Sequence, residues 1–200
     1  RGVREVHLLA HDYGDTVAQE LFARQIEEST DGIAIKSVIF LNGGLFPDLH
    51  RPRLIQKLLA TPLGPVLSRL LTKRSFEKNF RDIFGVQTQP TDQEIDGFWS
   101  LLNRHNGRNV MPALLDYMAQ RRTHEERWLQ PLISSSVPMR LINGAADPIS
   151  GHHLAEAYSR IVPNADVVLL DGIGHYPQVE APQDVLEAVL DFHRQLAQRP

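Results

Sequence analysis

The segment from Glu5 to Asp15, Glu-Val-His-Leu-Leu-Ala-His-Asp-Tyr-Gly-Asp, constrains the fold more than any other, because it turns a strand sharply into a helix with a carboxylate at the turn. Val6, Leu8 and Leu9 make a short apolar strand, and Thr16 to Glu28 has the spacing of an amphipathic helix. Between them, Ala10 and Gly14 stand two positions either side of Asp12, the pattern of a nucleophile elbow with Asp where such turns often carry Ser. Small flanking residues let the central residue hold a strained backbone, where a side chain at either flank would collide with the neighbouring strand or helix. Taken alone, the string fits equally a plain helix start with Asp12 as its N-cap.

An elbow predicts an acid and then a histidine further along, each at the end of a strand. Met139-Arg-Leu-Ile-Asn143 reads as a strand, and Gly144-Ala-Ala-Asp-Pro148 puts Asp147 on the loop that follows, with Pro148 blocking continuation. Ala165 to Leu170 is the next strand, and Asp171-Gly-Ile-Gly-His-Tyr-Pro177 presents His175 from a glycine-rich loop before another helix. Asp147 is the candidate orienting acid and His175 the candidate general base. Singly, each could be a turn former or a loop histidine; jointly, the three residues occur in the expected order on the expected elements.

With these segments in place the chain resembles the α/β-hydrolase superfamily, in the branch with an Asp nucleophile that contains epoxide hydrolases and haloalkane dehalogenases. It also resembles the mesoderm-specific transcript group and its bacterial relatives, through His11-Asp-Tyr-Gly-Asp15 with Val17-Ala-Gln-Glu20, Asn42-Gly-Gly44, His50-Arg-Pro52, Gln56-Lys-Leu-Leu59 and His175-Tyr-Pro-Gln178. The resemblance implies an α/β fold, a mostly parallel sheet flanked by helices, with an inserted helical cap. Core residues 1–45 and 131–200 would bracket a cap at 46–130. It also implies strands before the elbow, so the N-terminal strands are expected to be missing from this chain, which begins at Arg1, leaving the sheet an exposed edge.

The interval between the strand Ile35 to Leu41 and Met139 reads as helices: Arg51–Leu59, Pro65–Lys73, Phe76–Phe84, Asp92–Asn103, Val110–Gln120 and His124–Gln130. Phe46, Phe80, Phe84, Phe98, Trp99 and Trp128 could line a pocket beneath such a cap, although aromatics at helical spacing are more often ordinary core. The stretch Leu114 to Trp128 is similar to an epoxide-hydrolase cap segment and places Tyr117 where a phenol would donate to an opening epoxide oxygen. A second cap Tyr, usual in those enzymes, is absent between Arg51 and Trp99. Haloalkane dehalogenases usually carry Trp directly after the nucleophile; here Tyr13 occupies that position, and Asn42, being an amide, cannot replace Asp147 as the acid.

The implied chemistry is attack by Asp12 at a saturated carbon, then hydrolysis of the alkyl-enzyme ester by a water that His175 activates, with the backbone N–H of Tyr13 as one oxyanion donor. The expected partners are a small apolar substrate, epoxide or organohalide, and water, with no cofactor. Tyr13, Tyr117, Phe46 and Trp128 are its expected contacts. A catalytically silent scaffold that binds a protein remains the alternative from another class.

Composition limits other readings. Net charge is -3, and no basic stripe interleaved with aromatics argues for nucleic acid. There is no Cys, so thiol chemistry and disulfides are excluded, and 42% apolar residues suffice for one core. His152-His153 and His124-Glu125 lack the partners of a metal site, and no metal is expected. No signal peptide is visible and no apolar run reaches the roughly 20 residues that span a bilayer, which suits a cytoplasmic protein. Arg121 and Arg122 read as solvated cap faces, Asp15 and Asp31 as cap or turn residues.

Overall fold

A computed structural model describes residues 2–27 and 33–198 of the chain. Asp31 and Glu28 lie outside the described residues. Four strands, β1 (Glu5–His11), β2 (Ala34–Leu41), β3 (Met139–Gly144) and β4 (Val167–Leu170), form one sheet in the order β1-β2-β3-β4. All three pairings are parallel. Parallel neighbours need crossovers rather than tight turns, supplied by α1 (Tyr13–Ile26) between β1 and β2 and α9 (His152–Ile161) between β3 and β4. After β4 come the short α10 (Pro177–Glu180) and α11 (Pro182–Ala197), and α11 packs on the other face.

Alternation along β2 divides the core. Val38 and Phe40 face a cluster with Phe22, Leu141, Leu154 and Tyr158, while Ile39 and Leu41 meet Ile142, Val185 and Phe192. A strand buried on both faces must be apolar at every position, as Val-Ile-Phe-Leu41 is. Cutting Phe40 to Ala would cost about 3–5 kcal/mol. β1 pairs on one side only among the described residues, and Leu9 on it is exposed.

Seven helices lie between β2 and β3: α2 (Leu54–Leu59), α3 (Gly64–Leu70), α4 (Lys73–Arg81), α5 (Asp92–Asn103), α6 (Met111–Leu114), α7 (Tyr117–Thr123) and α8 (Glu125–Ser134). The start of α5 is written in Thr91-Asp-Gln-Glu94: the Thr91 hydroxyl accepts from the Glu94 amide while Glu94 reaches back to the Thr91 amide. The single helix expected over Val110–Gln120 is two, α6 and α7. The cap boundary expected at 130 falls inside α8, which packs along α1 and buries Leu132 in the main core. A separate cap cluster of Phe80, Phe84 and Ile95 takes in Tyr176 from the His175 loop. Among the described residues no helix is long and apolar enough to cross a membrane.

Candidate active site

Asp12 sits where β1 ends and α1 begins, with φ 52° and ψ -110°. A non-glycine residue there stores about 1–3 kcal/mol of strain. Its side chain makes no cap hydrogen bond, which removes the N-cap alternative and leaves the carboxylate free for other work. Gly14 is not the close contact expected of it: a Cβ there would touch only the Ala10 Cβ, at 3.8 Å. The tight glycine is Gly43 at the end of β2, where a Cβ would lie 2.9 Å from the Asp12 carbonyl oxygen and closer still to the Asp15 carboxyl.

Asp147 and His175 are brought to Asp12 by the parallel sheet, whose strands all end at one edge. His175 Nδ1 lies 2.8 Å from Asp147 Oδ2, and its Nε2 lies 3.9 Å from Asp12 Oδ1. Asp147 is buried, and its carboxylate takes three further donors: Oδ2 also accepts from Asn42 Nδ2 (3.0 Å) and the Ser150 hydroxyl (2.7 Å), and Oδ1 from the Ile149 amide (2.8 Å). Burial opposes its charge, but His175 and these donors hold its pKa down at about 2. Burial likewise opposes charge on His175, yet the two carboxylates outweigh it and push the imidazole up to about 10. Burial also works against ionised Asp12, and the neighbouring His175 imidazole, helped by the charge of Arg121, overcomes it, holding the carboxyl well below its usual range. The resting pair is therefore carboxylate and imidazolium.

Sequence reasoning missed what holds His175. Its amide donates to Ile83 O (2.8 Å) in the cap, and His11 Nε2 donates to its carbonyl (2.8 Å). Glu180 Oε2 accepts from the amides of Gly85 (2.7 Å) and Gly174 (2.8 Å) and from the Thr88 hydroxyl (2.6 Å), while Oε1 accepts from the Tyr176 amide (3.0 Å). One carboxylate thus clamps both neighbours of His175 to the cap. Its signal was an acidic residue in the first turn after a glycine-rich loop, where orphan amides collect.

A cavity of about 190 Å³ is bordered by both Asp12 and His175. Its apolar wall includes Ile55, Leu71, Phe76 and Phe80, and Tyr176 borders it as well. The expected contacts Phe46 and Trp128 lie elsewhere: Phe46 is buried in the core beneath the sheet, and the Trp128 indole donates to Glu20 (2.7 Å). Tyr117 does not border the cavity either. Its buried ring packs 5.0 Å from that of Tyr13 and carries the Arg121 guanidinium at 4.5 Å. Tyr13's side chain is 40% exposed, and its amide is the first of α1, without an intrahelical acceptor.

Arg121, read as a solvated cap face, and Asp15, read as a cap or turn residue, are both buried behind the elbow. Arg121 is 2% exposed; Nε donates to Thr16 Oγ1 (2.7 Å), one Nη to the Asp12 carbonyl (3.3 Å) and the other to His50 Nδ1 (3.5 Å). Burial and Arg121 lower the His50 pKa to about 4, so its neutral ring can accept. Asp15 is fully buried and, among the described residues, has a hydrogen-bond partner on neither carboxyl oxygen. Burial raises its pKa well above the usual carboxylate range against the pull of Arg121. Among the described residues, no three His, Asp or Glu side chains are grouped to hold a metal ion.

Comparison with known proteins agrees with the fold. The model of a family described as "Alpha/beta hydrolase family" matches residues 1–188. The chain is 40% identical over 193 residues to the mesoderm-specific transcript protein of Mus musculus, covering 94% of this chain and 58% of that protein. It is 34% identical over 187 residues to the putative hydrolase LipZ of Mycobacterium tuberculosis, covering 94% and 65%. The chain thus spans about three fifths of the length of these relatives. Among solved structures it is similar to the epoxide hydrolase CorEH (TM-score 0.75, 13% identity, 98% of this chain and 70% of that one). It is also similar to a loop variant of the haloalkane dehalogenase DbeA from Bradyrhizobium elkanii (TM-score 0.72, 18% identity, 100% and 71%).

Proposed function

The chain belongs to the alpha/beta hydrolase family, and from that premise we propose that it is a hydrolase with Asp12 as nucleophile, acting on a small apolar epoxide. The observation that carries this reading is the uncommitted Asp12 carboxylate on a strained turn, 3.9 Å from the Nε2 of an imidazole that Asp147 holds by its other nitrogen. An ionised carboxylate already stabilised by imidazolium suits attack at saturated carbon. Asp12 Oδ forms a bond to a ring carbon as the ring C–O bond breaks, and the departing oxygen takes a proton. Tyr176 replaces Tyr117 as the phenol placed to give it, since Tyr176 borders the cavity and burial keeps it protonated.

Esterification removes the Asp12 charge, one of the two that hold the proton on His175, and the imidazole pKa falls. His175 gives up that proton to the Tyr176 phenolate and then takes one from water. The water oxygen attacks the Asp12 carbonyl carbon, the oxyanion meets the Tyr13 N–H, and collapse breaks the ester C–O bond; the leaving alkoxide takes the proton of the new Asp12 carboxyl, which releases a diol and restores the Asp12 carboxylate beside the protonated His175. The charge on the nucleophile thus decides when His175 is a base. The same sequence would expel a halide, but Tyr13 turns its ring to Tyr117 and solvent, which leaves the epoxide reading better supported.

The test is His175→Gln in the full-length protein, offered panels of epoxides and of haloalkanes and read by intact and peptide mass. An adduct from the epoxide panel that stays on Asp12 is the expected result. An adduct from haloalkanes alone would replace the epoxide by a halide, and a folded protein with no adduct from either panel would refute the mechanism in favour of a silent scaffold.

A further inference from the structure

The cap carries a surface that neither the chemistry nor the core uses. Residues 51–81 hold eight Lys and Arg against Glu77 alone, in a chain whose net charge is -3. Arg53, Lys73 and Arg81 are paired with carboxylates. Among the described residues, Lys57, Arg69, Arg74 and Lys78 have none within 4.0 Å, and all four are exposed.

The same segment exposes large apolar side chains. Leu54 and Leu58 stand one turn apart on α2, and Leu63, Val66 and Leu70 recur at helical spacing along α3; Leu54 is 72% exposed and Leu70 69%. Single exposed leucines need no explanation, but five on two short helices packed together form a patch. Helices of six and seven residues cannot span a bilayer, yet apolar side chains flanked by unpaired cations are what lies on one, the apolar groups entering the acyl boundary and the cations meeting lipid phosphates. A second copy of this chain would bring the same unpaired cations against each other, so charge favours an anionic surface over self-association.

We propose that the α2–α3 lobe docks on an anionic phospholipid bilayer. Arg53, Ile55, Gln56 and Leu71, from this lobe, border the cavity at Asp12. Docking would therefore set that cavity beside the acyl region, where an apolar substrate partitions; this second step rests on the hydrolase reading above, whereas docking does not.

The experiment is flotation of the full-length protein with phosphatidylcholine vesicles with and without phosphatidylglycerol, at about 0.1 M and about 0.5 M salt. Flotation only with the anionic lipid, and lost at high salt, is expected. Lys57→Glu with Arg69→Glu should weaken it by about tenfold or more, and Leu58→Glu with Leu70→Glu should abolish it. All four positions are exposed, so the variants keep their melting temperature and their trapping of a soluble epoxide. Equal flotation with both lipids, none with either, or variants that float like the parent would overturn the proposal. So would light scattering that shows a dimer, dispersed by Leu70→Glu, in a protein that binds no vesicle. Flotation without any Asp12 adduct would sink the hydrolase reading and leave docking standing.

Discussion

The two halves of the site are held in place by opposite means. Around the base, side chains do the holding: Asp147 takes four donors, and Glu180 ties both neighbours of His175 to the cap. Around the nucleophile, the backbone does it: Asp12 is forced to φ 52° between β1 and α1, Gly43 packs on its carbonyl, and among the described residues the buried Asp15 carboxyl behind it has no hydrogen-bond partner and meets Arg121 only through charge. A network degrades by steps as partners are removed, because each bond is worth about 1 kcal/mol and its loss can be shared. A strained turn has no such reserve, and its polar neighbours act through charge and burial.

Removing the centre of the network should show the largest effect. Asp147→Asn keeps the shape but presents an amide to His175 and withdraws the charge that fixes its tautomer, and ester hydrolysis should fall on the order of 10³–10⁴-fold. Attack by Asp12 needs no base, so the adduct should accumulate in single-turnover mass spectra as it does with His175→Gln. Turnover like the parent's would show that Asp147 does not orient the base.

Glu180 tests the outer layer of the same network. Glu180→Ala frees the amides on both sides of His175, and a shift of the imidazole by about 1 Å would slow ester hydrolysis by about 10²-fold. Glu180→Gln keeps one oxygen for the Gly85 and Gly174 amides but turns its NH₂ toward the Tyr176 amide, so it should recover part of the rate. Adduct formation, measured separately, should be unchanged in both. A purely architectural role would instead lower the melting temperature and leave the ratio of the two steps alone.

The same division explains what the sequence could show. Parallel strands announce themselves in apolar runs such as Val38 to Leu41, and the residues at their ends follow from topology, so Asp12, Asp147 and His175 meet as expected. Helix starts were legible where a local pattern fixes them, as at Thr91. The residues read wrongly depend on neighbours that local pattern cannot supply. Arg121 looks like a surface cation until α7 is laid over the elbow, Trp128 like a pocket aromatic until Glu20 comes beneath it, and Asp15 like a cap because nothing in the string shows that Gly43 will close over it. Glu180 was overlooked for the same reason, since three of its bonds cross loop boundaries.

Asp15 gives the smallest and most discriminating prediction, since it asks whether the nucleophile half rests on a charge or on a neutral group. Its pKa in the fold lies above the unfolded value because burial disfavours its charge. Above about pH 4 the unfolded chain has released this proton while the folded chain keeps it, so the folded state binds more protons and loses stability as pH rises, by about 1.4 kcal/mol per unit until the folded pKa is reached. Asp15→Asn has the same shape and no proton to keep. Its melting temperature should lie near the parent's at pH 4 and rise relative to it as pH increases, levelling off above the folded pKa, whereas Asp147→Asn should stay below the parent by a constant margin over that range and approach it only below about pH 4, because the Asp147 pKa is depressed and its contribution is lost only on acidification. If instead Asp15→Asn melted progressively below the parent as pH rose, Asp15 would be a carboxylate serving Arg121, and both halves of the site would be networks.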